Sequence, residues 1–197
     1  PGLRLNEEAT GIIPDVADVP AGGLKGKTAN LSIGQELTVT PVQLAMVIAA
    51  VANGGTVYWP RLIDRFEPGD TLSDDPVERV RPGQVRTRLS IRPEHLAIVH
   101  AAMRDDVALD EGTGKNARVK DFAVCGKTGT AEVKAGNRLL DRITWFASFA
   151  PFESPRYAVI VMVESGGSGG GTCAPVAKRI YEYLRDRERG TIALGQN

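Results

Sequence analysis

Three apolar runs in the last third of the chain do most to limit how it can fold. Residues 122–133, 143–151 and 157–164 are rich in β-branched and aromatic side chains and have the length of strands. Lys134-Ala135-Gly136-Asn137 joins the first to the second, and Glu153-Ser154-Pro155 joins the second to the third. Parallel neighbours need a crossover of about a dozen residues or more, so links this short predict an antiparallel meander.

Helices are expected before and after that sheet. Thr40 reads as an N-cap, with Pro41 at the first helical position and Gln43 completing a capping box. Residues 42–52 are apolar nearly all round, which predicts a buried helix ending at Asn53-Gly54-Gly55. A second helix is predicted over 93–107, with Leu96, Val99, Met103 and Val107 at helical spacing. A third is predicted over 174–187, with an apolar stripe of Val176, Ile180, Tyr183 and Leu184. Residues 1–37, rich in Gly and Pro, read as a wandering segment. Residues 56–66 suit a short edge strand or an extended loop around Pro60, and 67–83 an acidic surface loop. Residues 110–118 read as a turn-rich connector and 165–171 as a flexible glycine-rich loop. The sum predicts an α+β fold, an antiparallel sheet flanked by helices, in one domain spanning residues 1–197.

Composition excludes several classes of function. Lys and Arg number 24 and Asp and Glu number 24, so no net charge draws the chain to nucleic acid or an anionic membrane. No apolar run reaches the ~18 residues of a membrane span. Cys125 and Cys173 make neither a disulfide framework nor a zinc site; they read as buried free thiols, with one bridge between them in an oxidising compartment as the alternative. His95 and His100 fall on different faces of the second helix, without a third ligand nearby. The run from Gly166 to Gly171 lacks the Gly-Lys-Ser/Thr of a phosphate-binding loop. No cofactor or metal is expected. Arg104-Asp105-Asp106 and residues 185–189 read as solvated helix faces, and Trp145 and Phe149 as core anchors.

The candidate site lies in the first strand, at Lys127-Thr128-Gly129-Thr130. A lysine supplies a fixed positive charge able to hold a carboxylate and influence nearby proton transfers. Two Thr hydroxyls at alternate strand positions point to the same side and can share that carboxylate. Gly129 lets a ligand approach the backbone, and the Thr130 N–H can then help stabilise a tetrahedral oxyanion. A Lys-Thr-Gly triplet alone also suits a strand end with a solvated lysine. Here the triplet sits inside an apolar strand and belongs to a longer pattern. Cys125 shares the strand face of Lys127 and is read as packing.

That longer pattern resembles a known family. Gly126-Lys127-Thr128-Gly129-Thr130-Ala131-Glu132, then Trp145-Phe146-Ala147-Ser148-Phe149-Ala150-Pro151, then Val159-Ile160-Val161-Met162-Val163-Glu164 are similar to the end of a penicillin-binding protein transpeptidase domain. The similarity runs on through the glycine-rich stretch to Ala174-Pro175-Val176-Ala177. Upstream, Thr10-Gly11-Ile12-Ile13-Pro14, Leu31-Ser32-Ile33-Gly34-Gln35-Glu36 and Val39-Thr40-Pro41-Val42-Gln43-Leu44-Ala45 fit in the same order. Within the family the chain resembles the class B enzymes, and among them the elongation-type penicillin-binding protein 2.

The resemblance implies peptidoglycan cross-linking. A serine attacks the D-Ala-D-Ala bond of a stem peptide, D-Ala leaves, and the amine of a neighbouring stem attacks the acyl-enzyme. β-Lactams acylate the same serine. Lys127 is then assigned to catalysis, the Thr130 N–H to the oxyanion, and Thr128, Gly129 and Thr130 to substrate binding. The family's first two motifs do not carry over. None of the seven serines heads a Ser-x-x-Lys, and Ser73-Asp74-Asp75 follows the Gly-Gln segment, where the family's second motif precedes it. The chain, starting at Pro1, is therefore expected to be the C-terminal part of an incomplete domain, inactive alone, with its membrane anchor upstream. The implied partners are stem peptides, β-lactams and cell-wall elongation membrane proteins, including a glycosyltransferase. The implied location is the bacterial cell envelope, at the outer face of the cytoplasmic membrane. The alternatives are a β-lactam-binding sensor domain, a non-catalytic scaffold, or a carboxypeptidase using water as acceptor.

Overall fold

The computed structural model describes residues 2–3, 8–15, 29, 31–35, 37–69, 76–135 and 138–190. The first helix, α1 (Pro41–Ala52), starts as predicted. The Gln43 N–H donates to Thr40 Oγ1 at 3.2 Å and the Thr40 N–H donates to Gln43 Oε1 at 2.8 Å, closing the capping box. Gln43 Nε2 also donates to the Thr10 carbonyl at 2.8 Å, which ties the upstream segment to the helix start. Gly54 and Gly55 follow the helix with φ of 87° and 99°. The helix is not buried all round. Ile48 is buried against the sheet and Ala50 is also buried, whereas Val42 and Val47 remain exposed, because the described residues pack one face only.

Two small antiparallel pairs occupy the region after α1. β1 (Thr56–Tyr58) pairs with β4 (Val85–Arg88), and β2 (Arg65–Phe66) with β3 (Glu78–Arg79). Within residues 67–83, read as an acidic loop, β3 forms a short strand, and its partner β2 lies at the end of the segment read as an edge strand or extended loop. Polar contacts hold the pair: Arg61 Nη1 donates to Asp64 Oδ1 and to the Val80 carbonyl, each at 2.9 Å. β2 and β3 are exposed throughout and so leave no alternating pattern to read. Ser73-Asp74-Asp75 lies outside the described residues.

The main sheet is the predicted meander. β5 (Cys125–Ala135), β6 (Arg138–Ala150) and β7 (Tyr157–Glu164) pair antiparallel in the order β5-β6-β7. The β5–β6 ladder continues to Ala135 opposite Arg138, so the hairpin is longer than its apolar core. α1 and Met103 of α2 (Pro93–Ala108) cover one face, where Ile48, Cys125, Ala147 and Phe149 are buried together. His100 links α2 to both neighbours. Its Nε2 lies 2.7 Å from the Val51 carbonyl and its ring 5.1 Å from Phe149.

The other face carries Phe146, Val124 and Val161 and is covered by α3 (Ala174–Glu188). The face of α3 differs from the expected stripe. Ala174, Ala177 and Tyr181 are buried and Leu184 packs beside them, while Val176, Ile180 and Tyr183 are exposed. Two alanines let the helix axis approach the sheet closely enough for Tyr181 to span the core. Its hydroxyl donates to Ser148 Oγ at 3.0 Å, and Ser148 Oγ donates onward to the Val159 carbonyl at 2.8 Å. A buried phenol is tolerated because that chain satisfies it.

Candidate active-site wall on the edge strand

β5 is the outer strand of its sheet, and no described strand pairs with its far side. An edge strand presents a row of free backbone groups, the template on which an extended peptide can lie. Register places Lys127 opposite Ala147, Gly129 opposite Trp145 and Thr130 opposite Thr144.

The two glycines of the motif are there for different reasons. A Cβ on Gly126 would sit 2.2 Å from Cζ of Phe146, so this residue makes room for a core ring. A Cβ on Gly129 would meet only Trp145 Cβ, at an ordinary 3.5 Å, and its φ is not positive. Packing does not require glycine at 129, which leaves close approach from the open side as the physical reason for it.

Lys127 is exposed, and its Nζ donates to the Thr128 carbonyl at 2.6 Å. No carboxylate among the described residues pairs with it. Thr130 is exposed, and its hydroxyl has no partner among the described residues. The Thr128 hydroxyl is already engaged, with its Oγ1 2.7 Å from Thr113 Oγ1. Thr113 in turn donates to Asp106 Oδ1 through its hydroxyl at 2.7 Å and its backbone N–H at 3.0 Å. Asp106 is therefore not the solvated helix charge expected from its sequence neighbours. Its carboxylate turns inward toward the connector. A Cβ on Gly112 would stand 2.1 Å from the Asp106 carbonyl, and one on Gly114 2.6 Å from Asp106 Oδ2. Sequence reasoning passed over Asp106 and Thr113; the available signal was a Gly-Thr-Gly too strict for an ordinary turn.

The glycine-rich stretch is not a loose loop. Gly169–Cys173 form a π-helical turn laid against β5 and β6. Ser168 Oγ accepts the Gly171 N–H at 3.0 Å, and Asn116 Nδ2 donates to the Gly170 carbonyl at 2.9 Å. Cβ atoms on Gly169 and Gly170 would stand 2.3 Å from the Trp145 carbonyl oxygen and 2.2 Å from that of Thr113. The glycines allow backbone-to-backbone packing behind the Gly129 segment.

The model of the penicillin-binding protein transpeptidase domain matches residues 1–182. The chain belongs to this family. The chain is 32% identical over 199 residues to the penicillin-binding protein PbpB of Mycobacterium tuberculosis, covering 95% of this chain and 28% of that one. It is 29% identical over 209 residues to the peptidoglycan D,D-transpeptidase MrdA of Salmonella typhimurium, covering 96% and 33%. Among solved structures, penicillin-binding protein 3 of M. tuberculosis complexed with ampicillin superposes with a TM-score of 0.76 at 29% identity, over 95% of this chain and 42% of that one. Penicillin-binding protein 2 of Pseudomonas aeruginosa gives 0.69 at 29% identity, over 93% and 40%. The chain thus spans about a third of its curated relatives, as a class B transpeptidase-domain sequence with the expected α+β fold.

Both transpeptidase-domain cysteines are free and buried. Burial pushes the Cys125 thiol up to about 12, so it is neutral and shielded although it shares the strand of Lys127. Iodoacetamide at pH 8 is expected to leave Cys125 unmodified in the folded chain and to alkylate it in urea, read by peptide mass. Rapid alkylation of the native chain would contradict the packing role. The native state holds this proton above the ordinary thiol range near 9, so the linked stability is complete below that pH. It is lost as pH rises toward about 12.

Proposed function

We propose that this chain forms the substrate-binding wall of a peptidoglycan D,D-transpeptidase that is also acylated by β-lactams. The observation that carries this reading is the Lys127-Thr128-Gly129-Thr130 run, with Lys127 and Thr130 exposed, on a strand edge that no described strand pairs and where glycine at 129 has no packing reason. The similarity to a relative named as a peptidoglycan D,D-transpeptidase, and to a structure complexed with ampicillin, supports it.

The nucleophile is a serine of a Ser-x-x-Lys segment outside this sequence. Its Oγ bonds to the carbonyl carbon of the penultimate D-Ala, and its proton passes through the site's basic groups to the departing amine. The carbonyl oxygen takes the negative charge of the tetrahedral intermediate, toward which the Thr130 N–H is directed. Collapse breaks the C–N bond and releases D-Ala. A stem-peptide amine then attacks the ester and frees the serine. Lys127 keeps a positive charge beside these proton transfers, and the hydroxyl side of β5 receives the terminal carboxylate. The same wall accepts a β-lactam, whose carboxylate and strained amide mimic that peptide end. The protein works at the outer face of the cytoplasmic membrane, alongside a glycosyltransferase that supplies uncross-linked strands. No helix among the described residues is long and apolar enough to cross a membrane.

Labelling with a fluorescent penicillin, followed by intact mass, tests the reading. A chain extended to include the Ser-x-x-Lys segment is expected to gain one covalent adduct, and the 197-residue chain none. A stoichiometric adduct on the 197-residue chain would overturn the assignment of the nucleophile.

A further inference from the structure

We infer that Arg142 is a specificity-determining residue of the donor site, receiving a carboxylate on the side chain of the stem residue that precedes D-Ala-D-Ala. The preferred donor then carries an amino-acid head at the end of that side chain, with ammonium and carboxylate on one carbon, as in diaminopimelate. This rests on the reading of β5 as the substrate wall and names the class of stem the wall takes.

The direction in which a donor lies follows from its two fixed points. The terminal carboxylate belongs on the hydroxyl side of β5 and the scissile carbonyl at the Thr130 N–H, so the rest of the stem runs on past Thr130 along the open edge. The strand continues that far: β5 reaches Ala135, with no described strand on its outer side. At about 3.4 Å per residue, the residue before D-Ala-D-Ala lies over the stretch from Ala131 to Val133. Side chains alternate along a strand, and the ladder is regular between Thr130 and Glu132, so Glu132 shares the face of Thr130. In register, Thr130 stands opposite Thr144 and Glu132 opposite Arg142. Arg142 is therefore the diagonal neighbour of Thr130, at a spacing of about 7–8 Å that a long side chain crosses.

The fold leaves this guanidinium available. Thr144 is fully buried, whereas Arg142, next on the same face, is exposed. The β6–β7 ladder ends at Ile143 opposite Glu164, so Arg142 stands on the part of the hairpin that projects past the third strand. No carboxylate among the described residues forms an ion pair with it. Its sequence neighbour Asp141 is occupied: Oδ1 accepts the Arg142 backbone N–H at 2.7 Å, and Oδ2 accepts the Ser165 hydroxyl at 3.1 Å. Glu132 is exposed across the ladder and sets a negative charge beside the guanidinium without an ion pair between the two. A positive and a negative group thus stand side by side on the wall, complementary to a carboxylate and an ammonium on one carbon. The arginine fork takes the carboxylate through parallel N–H bonds, which also fixes its orientation. A lysine-type stem side chain brings the ammonium alone and leaves Arg142 unused.

The test uses the full-length protein containing these residues and the Ser-x-x-Lys segment. Two N-acetylated donor peptides ending in D-Ala-D-Ala are compared. One has diaminopimelate at the preceding residue, the other diaminopimelate amidated at its side-chain carboxyl. Both keep the side-chain ammonium, so the ratio of their kcat/KM values for D-Ala release, with glycine as amine acceptor, isolates the carboxylate. The unmodified protein is expected to favour the free acid about tenfold, the effect of one charge-assisted contact. Arg142→Gln should bring the ratio to within about twofold, by lowering the rate with the acid toward that with the amide. Arg142→Lys keeps the charge without the fork and should recover part of the preference. A merely structural role for Arg142 would slow both donors alike and leave the ratio unchanged, which would overturn the inference. An unmodified protein that treats the two donors equally, or prefers the amide, would overturn it as well. Both results leave the wall reading intact. Failure of fluorescent penicillin to acylate the unmodified full-length protein would overturn the wall reading, and this inference with it.

Discussion

Lys127→Ala in the extended, serine-bearing protein is expected to slow acylation by fluorescent penicillin about 10²-fold or more, with little change in thermal stability. The size follows from removing a charged group that acts on proton transfer at the reacting centre. The separation of activity from stability follows from the structure. Lys127 is exposed, its Nζ donates to the adjacent Thr128 carbonyl at 2.6 Å, and no carboxylate among the described residues depends on it. Truncation of such a side chain changes stability by about 0.5 kcal/mol or less. Lys127→Arg keeps the charge but replaces a compact ammonium with a planar fork, so it should recover only part of the rate. Stopped-flow labelling beside a melting curve decides the matter. A Lys127→Ala rate within about threefold of wild type would remove the lysine from the mechanism.

Gly169→Ala should be the most destabilising single methyl in the glycine-rich stretch, costing about 3 kcal/mol or more. The added carbon would lie 2.3 Å from the Trp145 carbonyl oxygen, 2.8 Å from that of Gly129 and 3.0 Å from the Gly129 nitrogen. All three are backbone atoms of paired strands, so no side-chain rotation relieves the clash. The turn must lift from the sheet or β5 must bend, and either change reaches the proposed wall. Gly167→Ala is the control, because its Cβ would meet only Thr172 Oγ1, at 3.8 Å. Urea unfolding monitored through Trp145 and Trp59 should show a clear fall in midpoint for the first variant and a small one for the second. Equal midpoints would mean that the turn is not packed as described.

Some of this architecture was legible from residues alone. The capping box at Thr40 and Gln43 is local chemistry between residues three apart, and it formed as read. The meander followed from short links between apolar runs, since such links leave antiparallel pairing as the only geometry. Lys127, Thr128, Gly129 and Thr130 stood out because their residue types suit a carboxylate-holding strand, and the structure sets them on an open edge. The helix over residues 174–188 was legible as a helix, but its buried face was not. Both the stripe of Val176, Ile180 and Tyr183 and the row of Ala174, Ala177 and Tyr181 have helical spacing. Hydrophobicity favours the first, whereas close packing on the sheet selects the small residues of the second.

The remainder depended on contacts between segments far apart in the chain. β2 and β3 are exposed pairs held by Arg61 and Asp64, so they leave no periodic trace. Asp106 and Thr113 meet Thr128 only when helix, connector and edge strand converge. The glycines at 169 and 170 are ordered by backbone atoms of Trp145 and Thr113 that no local pattern reveals. Periodicity, capping and motif chemistry thus identify the elements and the type of site, because each acts over a few bonded neighbours. Which way a hydroxyl donates, which helix face is buried and which glycine is packed are set by non-local contacts at a few ångströms, and these exist only in the folded chain.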